Sequence, residues 1–314
     1  MRMIKPNLLL SLALAAAFLL GACGPVAGAP VSGNGATPRV LAVETFLAEI
    51  VQNVAGDRVK VESLIPIGLD PHVFEPTPQD VRRIAGSEVL IVNGAGFETW
   101  LEKTLQNAGG EHRVIEASAG LPSRAPQPGE MLEADGAHAG DPHFWLDPTK
   151  VVKYVENIRD GLTAADPAGK EVYARNAATY LVQLNDLDGW IKAQVAQIPP
   201  ERRLLVTNHE SFGYFADRYG FKLIGAIVPS VSTDASPTAQ QLAQLVDQIK
   251  ATGAIAIFLE TGASPQLAEQ VSAETGVKVV TGLYTHSITS VGGEAPSYIE
   301  MMKFNVNVIV KALK

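Results

Sequence analysis

The sequence predicts an α/β fold of two Rossmann-like lobes joined by one long, rigid helix. Three observations carry that expectation. Strand-like and helix-like segments alternate from Arg39 onward, the pattern of βαβ units and a parallel sheet. Glu88–Asn93 (EVLIVN) is a short continuous apolar run, as a parallel strand covered on both faces requires. The stretch from Pro167 to about Gln197 has no glycine between Gly169 and Gly189 and no proline before Pro199. Tyr173, Asn176, Ala177, Tyr180, Leu184, Leu187 and Ile191 recur through it at helical spacing, which predicts one helix of roughly 30 residues and ~45 Å.

Taken in order, Arg39–Val43 is a strand candidate, Phe46–Ala55 a helix, and Val59–Ile65 alternates as a strand should. Thr77-Pro78-Gln79-Asp80 is a helix start, with Thr77 as N-cap, Pro78 at the first helical position and Asp80 at the third. Asp147-Pro148 repeats that start. Beyond Pro199-Pro200 come a strand at Leu204–Thr207, a helix at Ser211–Tyr219 capped by Asn208, and strands at Ala254–Leu259 and Lys278–Thr281. A closing helix runs from Ser297 to Leu313. The expected division is a first lobe over 39–165, the bridging helix over 166–198 and a second lobe over 199–314.

The 314 residues suffice for two domains of ordinary size, and a net charge of −8 without any basic stripe argues against nucleic acid. Residues 1–22 read as a signal peptide: Arg2 and Lys5 precede an apolar Leu8–Phe18 too short for a good membrane span. The segment ends in Leu20-Gly21-Ala22-Cys23, similar to a lipoprotein lipobox. Diacylation of Cys23, the only cysteine, would hold the chain outside the cytoplasmic membrane. An ordinary signal peptide with an incidental cysteine is the alternative. Residues 23–38, rich in Gly, Pro and Ala, read as a flexible tether.

The tripeptide Asp-Pro-His occurs twice, at Asp70-Pro71-His72 and Asp141-Pro142-His143, opening the similar phrases DPHVFEPTPQD and DPHFWLDPTK. The chain has six histidines, so two in matching frames stand out. His209, in LLVTNHESFGYFADRYG, and His286, in TGLYTHSITS, follow strand-like runs. Open α/β sheets place their sites at the carboxyl ends of strands, so four imidazoles on four such loops suit a metal site. The proline before His72 and His143 stiffens each loop, which limits the entropy lost on binding. Asp70, Glu75, Asp141, Asp147 and Glu210 are candidate acceptors for imidazole N–H groups. His112 reads as a solvated histidine. His138 lies in an acidic loop (122–140) with Glu130, Glu133 and Asp135, where cation capture and a plain surface loop both remain open.

The two Asp-Pro-His phrases, NHESFGYFADRYG and THSITS…GGEAPSYIEMMKFNVNVIVKAL resemble the metal-specific (zinc or manganese) solute-binding proteins of ABC importers, the ZnuA/TroA-like cluster A-I family. The likeness runs from about Arg39 to the C-terminus. It implies two α/β lobes bridged by a single helix, with the metal in the cleft between them. It also implies ligands at His72, His143, His209 and His286, and an ABC permease and ATPase as partners, the chain itself a monomer. Manganese-type members typically carry glutamate where His209 stands, and the family usually carries aspartate where His286 stands. The departure at His286 leaves two options: a four-imidazole site, or a sphere completed by water or Glu210.

An all-nitrogen site favours Zn²⁺, whereas Mn²⁺ prefers oxygen-rich shells. Zinc is therefore the expected cargo and manganese the alternative. Release is expected through small lobe shifts and loop loosening. Two other readings remain: a zinc hydrolase with Glu210 as base, against which stands the lack of an HExxH motif, and a lipoprotein adhesin on the same fold.

Overall fold

A computed structural model describes residues 37–124 and 140–314, and Thr37–Lys314 forms one contact unit. The signal segment, Cys23, the tether up to residue 36 and His138 with its acidic neighbours lie outside the described residues. The first lobe runs β1 (Val40–Ala42), α1 (Thr45–Ala55), β2 (Val61–Ser63), α2 (Pro78–Gly86), β3 (Val89–Val92), α3 (Leu101–Ala108), β4 (Arg113–Glu116) and α4 (Pro148–Ala165). Then comes α5 (Lys170–Val195). The second lobe runs β5 (Leu204–His209), α6 (Gly213–Tyr219), β6 (Lys222–Val228), α7 (Ala239–Thr252), β7 (Ala256–Glu260), α8 (Gln266–Thr275), β8 (Lys278–Leu283) and α9 (Tyr298–Leu313).

Both sheets are parallel and share one topology, β2-β1-β3-β4 and β6-β5-β7-β8. The strand order reverses between the first and third strand of each sheet, which is where open α/β sheets leave a crevice. The Val-Leu-Ile-Val of β3 is buried at every position, as two covered faces demand.

Helix starts follow their cap chemistry. Thr77 and Asp80 form a reciprocal capping box at α2, and Asp147 accepts the Thr149 N–H at α4 with Pro148 in the first turn. Asn208 is no cap: it lies inside β5, and α6 starts only at Gly213. Thr207 Oγ1 donates to the His209 carbonyl (2.7 Å), and β5 stays paired with β6 as far as Val228, which keeps the strand going.

The long helix α5 has 26 residues, about 39 Å. It is shorter than its periodicity suggests because Pro167–Gly169 forms a tight 3₁₀ turn first. Asp166 holds that turn, accepting bonds from Arg58 (2.5 and 2.8 Å) and the Tyr173 hydroxyl (2.6 Å). Tyr173, Ala177, Tyr180, Leu184, Leu187 and Ile191 are all buried. The helix they belong to packs against α1, α4, α9 and α6.

One hydrophobic cluster therefore runs from Val40 and Phe46 through α5 to Phe215, Met301 and Leu313. Smaller cores cover the outer faces, around Leu41, Leu64 and Leu90 in the first lobe and Val206, Ile224 and Leu259 in the second. The lobes are joined through shared apolar packing as well as a covalent bridge.

Candidate metal centre

Four separate chain excursions converge at the carboxyl edges of the two sheets. His72 sits in the β2–α2 loop, and His143 precedes a 3₁₀ turn at Phe144–Leu146 that leads into α4. His209 is the last residue of β5, and His286 follows β8. All four are buried, and each offers one ring nitrogen within 4.8 Å of the other three. His143 Nε2 lies 3.3 Å from His72 Nε2 and 3.2 Å from His209 Nε2. Neutral imidazoles would not sit nitrogen to nitrogen at that range without a shared proton or a shared cation.

Carboxylates hold the outer ring nitrogens of His143 and His209. Asp141 Oδ1 accepts both the backbone N–H and the Nδ1–H of His143, each at 2.9 Å. Glu260 Oε1 meets His209 Nδ1 at 2.6 Å, and its other oxygen accepts from Thr285 Oγ1 at 2.5 Å. Asp70 accepts the His72 backbone N–H (3.0 Å) and the Thr233 hydroxyl (2.6 Å). His286 Nδ1 lies 3.7 Å from both Asp70 and Glu260, while its buried Nε2 has no hydrogen bond among the described residues. With Nδ1–H donated outward, Nε2 of His143 and of His209 is left to face the centre.

Burial alone would lower the His209 pKa, but Glu260, with Asp70 and Asp141 behind it, raises it overall. Burial would likewise raise Glu260; the His209 charge and hydrogen bond, then His286 and Thr285, bring it down to about 2. His286 is lowered, first by burial and further by His209, against the pull of Glu260 and Asp70. Phe97 and Trp145 wall the group, Phe97 edge-on to His72 at 4.7 Å and Trp145 5.2 Å from His143. Trp145 Nε1 donates to the Thr285 carbonyl, so the wall also ties the His286 loop to the first lobe.

A family model described as the periplasmic component A of zinc-uptake complexes matches residues 40–312. The chain belongs to that family. It takes its place among the metal-specific solute-binding proteins of ABC importers, which are not enzymes. The manganese-binding lipoprotein MntA of Halalkalibacterium halodurans is 35% identical over 282 residues, 90% of each chain. The manganese ABC transporter substrate-binding lipoprotein PsaA of Streptococcus pneumoniae is 30% identical over 311 residues, 96% of this chain and 97% of the relative. The periplasmic zinc-binding protein TroA from Treponema pallidum superposes with a TM-score of 0.79 at 26% identity, over 88% of this chain and 99% of that one. A manganese-bound periplasmic metal-binding protein from Candidatus Liberibacter asiaticus gives 0.77 at 28% identity, over 88% and 100%.

In this solute-binding family member, the carboxylates expected from the sequence divide. Asp70 and Asp141 stand against the imidazole loops, but three others do not. Glu75 is exposed, Asp147 spends its carboxylate on the N-terminus of α4, and Glu210 lines a separate cavity with Phe212, Leu223 and Leu245. Glu210 is not among the donor groups that gather with His286. His112, read as solvated, instead bridges the Ser87 and Gly109 carbonyls at 3.0 and 2.8 Å. Sequence reasoning missed Glu260. It ends the apolar run of β7, as His209 ends β5, but that the two strands are neighbours at the switch of one sheet is visible only in the fold.

Proposed function

We propose that this chain captures Zn²⁺ outside the cytoplasm through His72, His143, His209 and His286 and hands it to the permease and ATPase of an ABC importer. The observation that carries the reading is the donor set: four buried imidazoles with no carboxylate among them. A tetrahedral ion with bonds of ~2.0–2.1 Å spaces its ligand nitrogens ~3.4 Å apart, close to the 3.2 and 3.3 Å between the Nε2 atoms here. Manganese lies at the weak end of the divalent series and prefers oxygen donors. The relatives named for manganese support the rival cargo, so the test sets the two ions side by side.

Metal-stripped chain is titrated with Zn²⁺ and with Mn²⁺, parent beside His286→Ala. One tight zinc equivalent is expected, weakened about 100-fold or more in the variant, with manganese far weaker than zinc. Tighter manganese than zinc binding would overturn the zinc assignment. Zinc binding untouched by His286→Ala would remove the fourth ligand.

Membrane attachment through a diacylated Cys23 belongs to the same proposal, supported by Leu20-Gly21-Ala22-Cys23 and by relatives that are lipoproteins. Among the described residues no helix is long and apolar enough to cross a membrane. Cell fractionation of Cys23→Ala should move the protein from the membrane to the soluble fraction; retention there would reject lipid anchoring.

A further inference from the structure

The structure assigns a positioning role to Arg124 and Asp217: Asp217 holds the Arg124 charge so that Asp141 remains committed to His143. The assignment rests on His143 being a ligand.

Asp141 is buried, and its Oδ1 serves His143 twice over. Its Oδ2 faces Arg124 Nη1 at 3.9 Å, and the Arg124 side chain is only 4% exposed. The guanidinium also grips Asp217, Nε to Oδ2 at 2.9 Å and Nη2 to Oδ1 at 3.4 Å. The Arg124 backbone N–H donates to the Tyr214 hydroxyl, which in turn donates to the Asp141 carbonyl at 2.8 Å. Gly213 seals the arrangement. A Cβ there would stand 2.5 Å from Asp141 Oδ2 and 2.7 Å from Arg124 Nη1, so the first residue of α6 has to be glycine for the groups to meet. Gly213, Tyr214 and Asp217 belong to α6, the helix that follows His209, whereas Asp141 leads directly to His143.

A permanent cation this close to Asp141 competes with the His143 imidazole for one carboxylate, and it also repels an incoming metal ion. Asp217 offsets that charge from the solvent side, where it is 41% exposed. Its removal takes one counter-charge off the guanidinium, which then pulls harder on Asp141. The expected result is a loosened His143 and a weaker site, although Asp217 stands outside the four-imidazole cluster.

The test is competition titration of Zn²⁺ against a chromophoric chelator, using the parent, Asp217→Asn, Asp217→Glu, and Asp217→Asn combined with Arg124→Gln. Asp217→Asn should weaken zinc about tenfold, within the range of an outer-sphere partner. Asp217→Glu, which keeps the charge, should match the parent. Removing the arginine as well should return affinity to within about threefold of the parent, a rescue that general loosening of the fold would not give. Thermal melts of the metal-free proteins check that each variant is folded. Parental affinity in Asp217→Asn, or no recovery in the double variant, would overturn the role. Zinc binding unchanged in His143→Ala would instead strike the ligand assignment beneath it.

Discussion

Two imidazoles at the centre, His143 and His209, are each governed by the carboxylate behind the ring. Glu260 is the strongest case: buried, 2.6 Å from His209 and held down to about 2 chiefly by that neighbour. Glu260→Gln keeps the shape and a hydrogen bond but removes the charge that fixes the His209 tautomer. It should weaken zinc binding about 10- to 100-fold, measured by chelator competition, while the metal-free fold persists. An unchanged affinity would mean that the orientation of His209 comes from β5 alone. The residue scale also shows what sequence could reveal. The four histidines were legible because two repeat in frame and two end strand-like runs. Glu260 was not, because a glutamate closing an apolar run carries no mark until the strand order places it beside β5. Glu75 and Asp147 misled for the opposite reason, since nearness along the chain does not give direction in space.

At the scale of elements, α5 and α6 are fastened by Asp188. It accepts bonds from Arg218 (3.0 and 2.8 Å), Lys192 (2.8 Å) and the Tyr219 hydroxyl (3.1 Å). Burial would raise its pKa, but Arg218 and then Lys192 outweigh it and hold it near 2. A carboxylate ordinarily titrates near ~3.9 in the unfolded chain, so the stabilisation is complete above that pH and is lost as pH falls toward 2. Asp188→Asn should therefore cost about 2 kcal/mol near pH 7, a drop of several degrees in melting temperature. The gap from the parent should close as the solution is acidified toward pH 2; a gap independent of pH would assign the loss to packing. Elements were readable wherever local chemistry decided them, as in the capping box of α2, the buried run of β3 and the apolar stripe of α5. The start of α6 was not readable, because strand pairing to β6 carries β5 through Asn208.

On the scale of the whole molecule, two sheets of identical strand order face one another across the imidazoles. The repeated order was not readable, since parallel pairing joins segments tens of residues apart. The alternation of strand and helix signals did give the class. The shared core is the feature that separates this molecule from a pair of modules on a tether. Phe46, Tyr173 and Met301 come from the first lobe, the bridge and the last helix, yet they lie in one apolar mass. Wide separation of the lobes would expose that mass to water, at roughly 25 cal/mol per Å² of apolar surface. Movement of the His72 and His286 loops, where Ile67, Leu69, Val73 and Val291 are already exposed, would uncover less of it.

That single core has a consequence for turnover. Free energy gained at the imidazoles is distributed over the entire folded body, because neither half can open without disturbing the other. A bound ion at a hundred times its dissociation constant adds about 2.7 kcal/mol to global stability. Metal-free chains should therefore spend more time unfolded, within reach of proteases, than loaded ones, so that the amount of protein that survives should rise with the metal its surroundings supply.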